Sequence, residues 1–472
     1  MKRFLRIIGF VIGLGGFSVA HGAAVQCAAD HCGAIKDQVD ATCHGTGGGL
    51  VYVPTPQDPK VWCWCKCSCV AGDTLVRVTD KAFKRMQDFK AGDTVLALQF
   101  DGTWKSAPVV SSDGMGDKTT PFPYAIYLTL SNNISIVVAP DHVFWMPDST
   151  LKRADRLAPS DSLVLSQGAK PIAISQIASG VYYGPMWNIV ATSEQDVSSP
   201  FGHLIDTSGV VSGDWALQRK ETQALQTGPQ VGTAEYRKMH ISSLSKQKSL
   251  PKVVVLNKAK NIRFIPHTQV AIPKDAIHLL PEGEDQAQPN ELYPLDYSVP
   301  YEMAEYLARQ YKTFYPDVEY QIDWLNDAVN AVAFIRNGKR HVVLYGGLIR
   351  HHRLQVEGAG LVIAHELGHH YAGPPRYPNN IWASCEGQAD YWGAKIAQRK
   401  VWWGEYSIDQ TTKGAAQLLD LFSKGLLTPQ VGAKPMGICS HPPAQCRYDT
   451  YMAGLRLQPK PSCAGDPALM KK

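Results

Sequence analysis

The sequence predicts a multidomain chain in which an all-β unit precedes an α+β unit. From Cys69 the chain breaks into short alternating segments, CVAGDTLVRV, FKAGDTVLAL, IYLTLSNNISIVVAPDH and RLAPSDSLVL, separated by Gly-Asp, Asn-Asn and Pro-Ser turn signals. Many short strands so punctuated argue for an all-β fold. Much later GAGLVIAHELGHHYAG, from Gly358 to Gly373, runs apolar and helix-favouring after several β-prone stretches, which is the texture of a mixed unit. The 472 residues allow about three units, and a hydrophobic content of 44% can fill more than one core.

The chain opens with Lys2, Arg3 and Arg6, then an apolar run from Ile7 to Ala20, then small residues at Ala20, Gly22 and Ala23. Residues 1–23 thus read as a cleavable secretory signal. The run is shorter than the roughly 20 residues of a spanning helix. Ala24-Val25-Gln26 before Cys27 is not a lipid-attachment pattern, and no other stretch is apolar enough to cross a bilayer. The expectation is an exported protein, periplasmic or secreted, with no integral membrane segment in the mature chain. A net charge of +5 without a long basic run gives no reason to expect nucleic acid as a partner.

Cysteine usage fits export. Of 11 cysteines, Cys27, Cys32, Cys43, Cys63, Cys65, Cys67 and Cys69 precede residue 70, and Cys385, Cys439, Cys446 and Cys463 lie near the C-terminus. Residues 24–68 form a Cys- and Gly-rich pro-segment. Its CWCKCSC run suits either a soft metal or a set of disulfides. The C-terminal four suffice for two disulfides whose pairing the sequence does not give.

The β unit spans 69–218. Its phrases AGDTVLAL and PSDSLVL look like one structural unit used twice, a hint of an internal pseudo-repeat. Cys69 opens the unit, Ala139-Pro140-Asp141-His142 stands in its middle, and GHLIDTSGVVSGDWALQ closes it. In that order these blocks resemble the Hint (hedgehog/intein) family. The resemblance implies an N-to-S acyl shift at Cys69, with His142 transferring the proton. A free thiol has a pKa near 8.5, so Cys69 needs such activation. Ala139 replaces the threonine of the usual block, and the closing segment lacks the His-Asn pair of splicing members. The resemblance therefore implies one-ended cleavage before Cys69 rather than splicing, or else an inactive β scaffold.

Residues 219–290 read as a linker. The part from 219 to 250 is polar and without period, while VVVL and IRFIP in 251–280 are β-prone enough to bridge the units or add a strand.

The last unit spans 291–472. Met303, Tyr306, Leu307 and Tyr311 recur at helical spacing, VEYQIDWLNDAVNAVAFI suggests two strands, and HVVLYGGLIRHH suggests a further element. His365 and His369 then stand four apart, which stacks both imidazoles on one helix face. Two such histidines can share one small cation, with Glu366 beside them to take a proton from the attacking water. Glu386 is the natural third ligand, carried back over the first helix by a second. Asp390, one turn on, is placed to hydrogen-bond a ligating histidine. His370 points to another face, where capping or packing is its expected role. Ala372 and Pro375 stand where a metzincin pattern needs Gly and His, which excludes that class.

Asn330-Ala331-Val332-Ala333, LYGGLI, HELGH, the ExxxD of Glu386 to Asp390, and HPPAQCR occur here in order. Together they resemble the HtpX and CAAX-prenyl-protease type of gluzincin metalloprotease, a zincin. The resemblance implies one catalytic Zn2+ on His365, His369 and Glu386, with Glu366 as general base and Asp390 behind a ligand. It also implies that His441 and Arg447 organise the cleft or hold the C-terminal helix. The spacing from His369 to Glu386 is short for that family, and its membrane helices are missing. The expected function is an exported zinc metalloendopeptidase acting on a polypeptide. Two alternatives stand beside it: a binding or structural protein with a relic site, and a protease confined to its own chain.

Overall fold

The computed structural model describes residues 25–26, 50–54, 62–66, 70–115, 121–168, 170–192, 197–221, 227–247, 254–255, 262–267, 269–281, 283–287, 291–297, 299–423 and 439–465. Cys69 and the proposed signal lie outside them, as does most of the Cys-rich segment.

Between Val70 and Gly213 every described strand pairing is antiparallel. The strands form two large sheets whose inward residues, among them Val76, Val95, Ile126, Leu128, Val138, Phe144 and Ile189, are buried in a common core. The long strands Pro121–Leu130 and Ile172–Tyr183 pair along most of their length. This is the all-β texture that the alternating pattern predicts.

The pseudo-repeat is visible as a repeated set of bonds. Gln87 N–H donates to Gly72 O and Met86 N–H to Thr74 O; Asp155 N–H donates to Pro140 O and Ala154 N–H to His142 O. Asp93 accepts from the backbone of Lys90 and pairs with Lys84, and Asp161 does the same with Ala158 and Lys152. Each phrase is thus a strand, a 3-10 turn and an aspartate that closes the following loop.

The segment expected as a linker is partly built into both neighbours. Its helix Ala234–Leu244 docks through Tyr236, which is 2% exposed and donates to Leu157 O. Strand Ile262–Pro266 extends the β unit by pairing with Ile172–Tyr183 and burying Phe264. Strand Ile277–His278 pairs with Ala331–Arg336 of the following unit. A few well-placed apolar side chains suffice to dock a segment that is polar on average, because only the docked face loses water.

The C-terminal part is a four-stranded sheet packed against helices. Strand Val318–Asp323 runs parallel to Lys339–Tyr345, and the remaining pairings are antiparallel. Helix Val356–Tyr371 lies at its centre, with every residue from Gly358 to His370 buried. Its orphan N-terminal donors are met from outside: Gln417 Oε1 accepts the N–H groups of Gln355 and Gly358. It ends where Gly373 takes a φ of 76° and Pro374-Pro375 follows, a sequence that cannot continue a helix. Helix Glu386–Trp392 crosses it at Gly368, where a Cβ would sit 2.6 Å from the Ala389 backbone. Only glycine allows that approach. Disulfides Cys385–Cys439 and Cys446–Cys463 pair the four C-terminal cysteines. Among the described residues, no helix is long and apolar enough to cross a membrane.

Candidate metal centre

The helical spacing puts His365 and His369 on one face, and the Gly368 crossing brings Glu386 over them. The three residues offer ligand atoms that all lie within 4.8 Å of one another, and each is buried. His365 Nε2 and His369 Nε2 are 3.0 Å apart, and Glu386 Oε2 lies 3.4 Å from the first of them.

The outer nitrogens decide the tautomers. His365 Nδ1 is 2.7 Å from Asp390 Oδ1, and His369 Nδ1 is 2.8 Å from Ser384 O. Both partners accept, so each Nδ1 carries a hydrogen, and each Nε2 has a lone pair to offer when its ring is neutral. Two lone pairs and a carboxylate oxygen converging in a dry pocket repel one another unless a proton or a metal cation lies between them. Glu386 Oε2 has no hydrogen-bond partner among the described residues, which is what an oxygen reserved for a cation requires. The donor set of two imidazoles and one carboxylate fits zinc. Burial alone would push the His365 imidazole down, but Asp390 and Glu386 together outweigh it and raise the ring to about 9. The same pocket therefore favours a positive charge.

Glu366 is also fully buried, and neither of its oxygens has a hydrogen-bond partner among the described residues. Burial raises its carboxyl to about 8, against the pull of the His365 ring. A carboxylate with an affinity for protons near neutrality is suited to general-base work. Burial takes His369 the other way, to about 3, which keeps its ring neutral with a lone pair to offer.

Asp390 is held in turn by Arg447, whose Nη2 lies 2.9 Å from Oδ1 and whose Nε lies 3.1 Å from Oδ2. Arg447 Nη1 also donates to Leu279 O, and its guanidinium packs over Phe422. His441 donates from Nε2 to His278 O and lies 3.6 Å from Glu386 Oε1. It is the more exposed neighbour, with 23% of its side chain accessible. His370 turns away to stack on Trp382 and bond His341 O, a packing role.

In the β unit, Val70 pairs with Val138, and the turn Ala139–His142 closes through His142 N–H to Ala139 O. This sets His142 near the strand that begins one residue after Cys69. The His142 ring is buried edge-on to Phe144, and burial lowers it to about 4. Burial thus holds the imidazole neutral.

Two features had no signal in the sequence. Tyr377 donates to Glu386 Oε1 at 2.7 Å, yet belongs to no recognisable motif. A second chain of bonds, its partners His203 and Asp214 lying in the closing block but unmarked there, joins Thr192 Oγ1 to His203 Nε2 at 3.0 Å and the buried His203 Nδ1 to Asp214 Oδ2 at 2.9 Å. Asp214 further accepts from the backbone of Ala191 and Leu217, so this network clamps the end of the β unit to its closing helix.

No family model matches the chain, and no curated protein does. Solved structures similar to about a third of it are bacterial inteins. A bacterial intein-like domain from Clostridium thermocellum has 19% identity and a TM-score of 0.26, covering 32% of this chain and 100% of that one. A DnaB intein from Synechocystis sp. PCC 6803 has 16% identity and a TM-score of 0.26, covering 31% and 99%. The gp41-1 intein has 14% identity and a TM-score of 0.24, covering 32% and 100%.

Proposed function

We propose that the chain is an exported zinc-dependent endopeptidase that hydrolyses polypeptides, preceded by a Hint-like unit that cleaves the backbone before Cys69. The observation that carries the protease reading is the pair of Nε2 atoms facing each other at 3.0 Å, with a buried carboxylate oxygen beside them. His365, His369 and Glu386 would hold the ion. A bound zinc would polarise the scissile carbonyl and acidify the attacking water.

The protein's own groups then divide the work. Glu366 accepts the proton of the water and returns it to the departing amine. Asp390 and Ser384 O keep both imidazoles in the ligating tautomer. Arg447 keeps Asp390 ionised and fixed. His441 stands at the more open side of the site, 3.6 Å from Glu386 Oε1, and is tied to His278 O.

The test is Glu366→Gln. The variant should retain one zinc per chain and lose hydrolysis of a general substrate such as casein. Undiminished casein cleavage would sink the assignment. A wild-type protein without zinc would instead favour a binding or structural role with a relic site. Cuts confined to residues 219–250 of the chain itself would favour a protease restricted to its own processing.

For the β unit, the support is Cys69 at the head of the matching blocks and the neutral, buried His142 near the strand that follows it. The expected product is a fragment whose intact mass begins at Cys69. A single species lacking only the signal would leave this unit as a scaffold.

A further inference from the structure

The connection between His369 and Glu386 is short, and it is mostly a hairpin. Strands Arg376–Tyr377 and Asn380–Ser384 pair antiparallel, and Arg376 donates across the turn to Ile381 O. Outer contacts pin it in place: Trp382 stacks on His370, Asn380 donates to Asp275 O, and Cys385 N–H donates to Pro375 O. From this fixed frame two atoms reach the ligand set. Ser384 O accepts from His369 Nδ1, and the Tyr377 hydroxyl donates to Glu386 Oε1. The hairpin therefore touches two of the three residues, His369 at its outer nitrogen and Glu386 at Oε1, which itself lies 3.6 Å from His369 Nε2.

We infer that the 376–384 hairpin is the orienting element of the metal site, with Tyr377 a positioning residue that fixes Glu386 through its hydroxyl. The inference rests on the zinc-site reading above and deepens it. A free carboxylate can rotate and offer either oxygen, or both, to a cation. Here the phenol occupies Oε1, and Oε2 is left without a partner and 3.4 Å from His365 Nε2. A phenol at ordinary pH is a donor to a carboxylate, so the bond fixes the rotation of the Glu386 carboxylate, with Oε1 toward His369 and Oε2 toward His365, before any ion arrives. Partners behind metal ligands typically change affinity by about 10–100-fold when removed. The short spacing thus places the third ligand and its support on one rigid stretch of chain.

The experiment uses the full-length, disulfide-intact protein and Tyr377→Phe, which deletes one oxygen and keeps the ring. Zinc affinity is measured by competition with a chromogenic chelator, and the cobalt(II)-substituted protein gives an absorption spectrum of the site. Melting of both proteins in excess chelator reports the fold alone. Expected are zinc binding about 10–100-fold weaker, altered cobalt bands and an unchanged melting temperature in chelator. Unchanged affinity and bands would overturn the role of Tyr377. A drop in melting temperature in chelator with unaltered cobalt bands would overturn it too, by making Tyr377 a packing residue. If wild-type protein binds neither metal, the metal-site reading itself fails, and that outcome is visible before any variant is compared.

Discussion

Replacing Arg447 by methionine removes a buried guanidinium while keeping much of the side chain's volume. The guanidinium is 1% exposed and lies 2.9 and 3.1 Å from the two oxygens of Asp390, itself 0% exposed. It also satisfies Leu279 O and covers the face of Phe422. The substitution leaves Asp390 with the His365 ring as its remaining charged partner. Breaking a buried ion pair from one side costs about 3–5 kcal/mol, because the surviving charge stays desolvated. For a unit of this size each kcal/mol is worth roughly 2–4 °C in Tm, so the expected loss is roughly 6–20 °C. Urea unfolding is to be followed in excess chelator, so that loss of a bound ion does not enter the difference. Asp390→Asn in the same background removes the stranded charge, so the double variant should be less destabilised than the two single losses added together. Arg447→Lys should recover only part of the loss, since one ammonium cannot span both Asp390 oxygens and Leu279 O. A loss under about 1 kcal/mol for Arg447→Met, the worth of an exposed pair, would refute the reasoning. So would strict additivity with Asp390→Asn.

Gly368→Ala should part the two ligand-bearing helices, since its Cβ would meet the Ala389 Cα and carbonyl oxygen at 2.6 Å. A cost of about 1–3 kcal/mol is expected, with weakened zinc binding, as Glu386 rides on the displaced helix; full affinity in a titration would contradict this. Cys69→Ala should abolish the fragment beginning at residue 69, and normal processing of that variant would remove the acyl shift from consideration.

How much was legible follows from how local each signal is. His365, Glu366 and His369 are set by helix periodicity, which four residues are enough to reveal. The pseudo-repeat was legible for the same reason, since an aspartate that closes its own loop leaves a short phrase, read twice at Asp93 and Asp161. Ser384 contributes through its carbonyl, which every residue has, so nothing in the sequence could mark it. Tyr377 acts through a hairpin whose register no motif records. The 219–250 part reads as polar because its docking depends on a few buried side chains, such as Tyr236, scattered among exposed ones, whereas the β-prone IRFIP does add a strand. Disulfide pairing depends on how the chain folds back between residues 54 and 17 positions apart, and no spacing rule specifies it.

Charge explains why such a site is built from these residues together. Three fully buried carboxylates, Glu366, Glu386 and Asp390, surround the two imidazoles, and one fully buried guanidinium, Arg447, faces them. If all three acids ionise, two negative charges remain unmatched in a medium where each unpaired ion costs several kcal/mol. The protein has two means of relief. It can take up protons, and both the rise of Glu366 to about 8 and that of His365 to about 9 run in that direction. Or it can take up a divalent cation, whose charge equals the deficit and whose place is where the two Nε2 atoms and Glu386 Oε2 converge. Binding the cation then competes with protons for the same deficit, so zinc affinity should fall as pH drops and His365 and Glu366 become protonated. Arg447 leaves that balance at two: a second guanidinium would cancel part of the attraction, and none would leave Asp390 free to collapse onto the ligands.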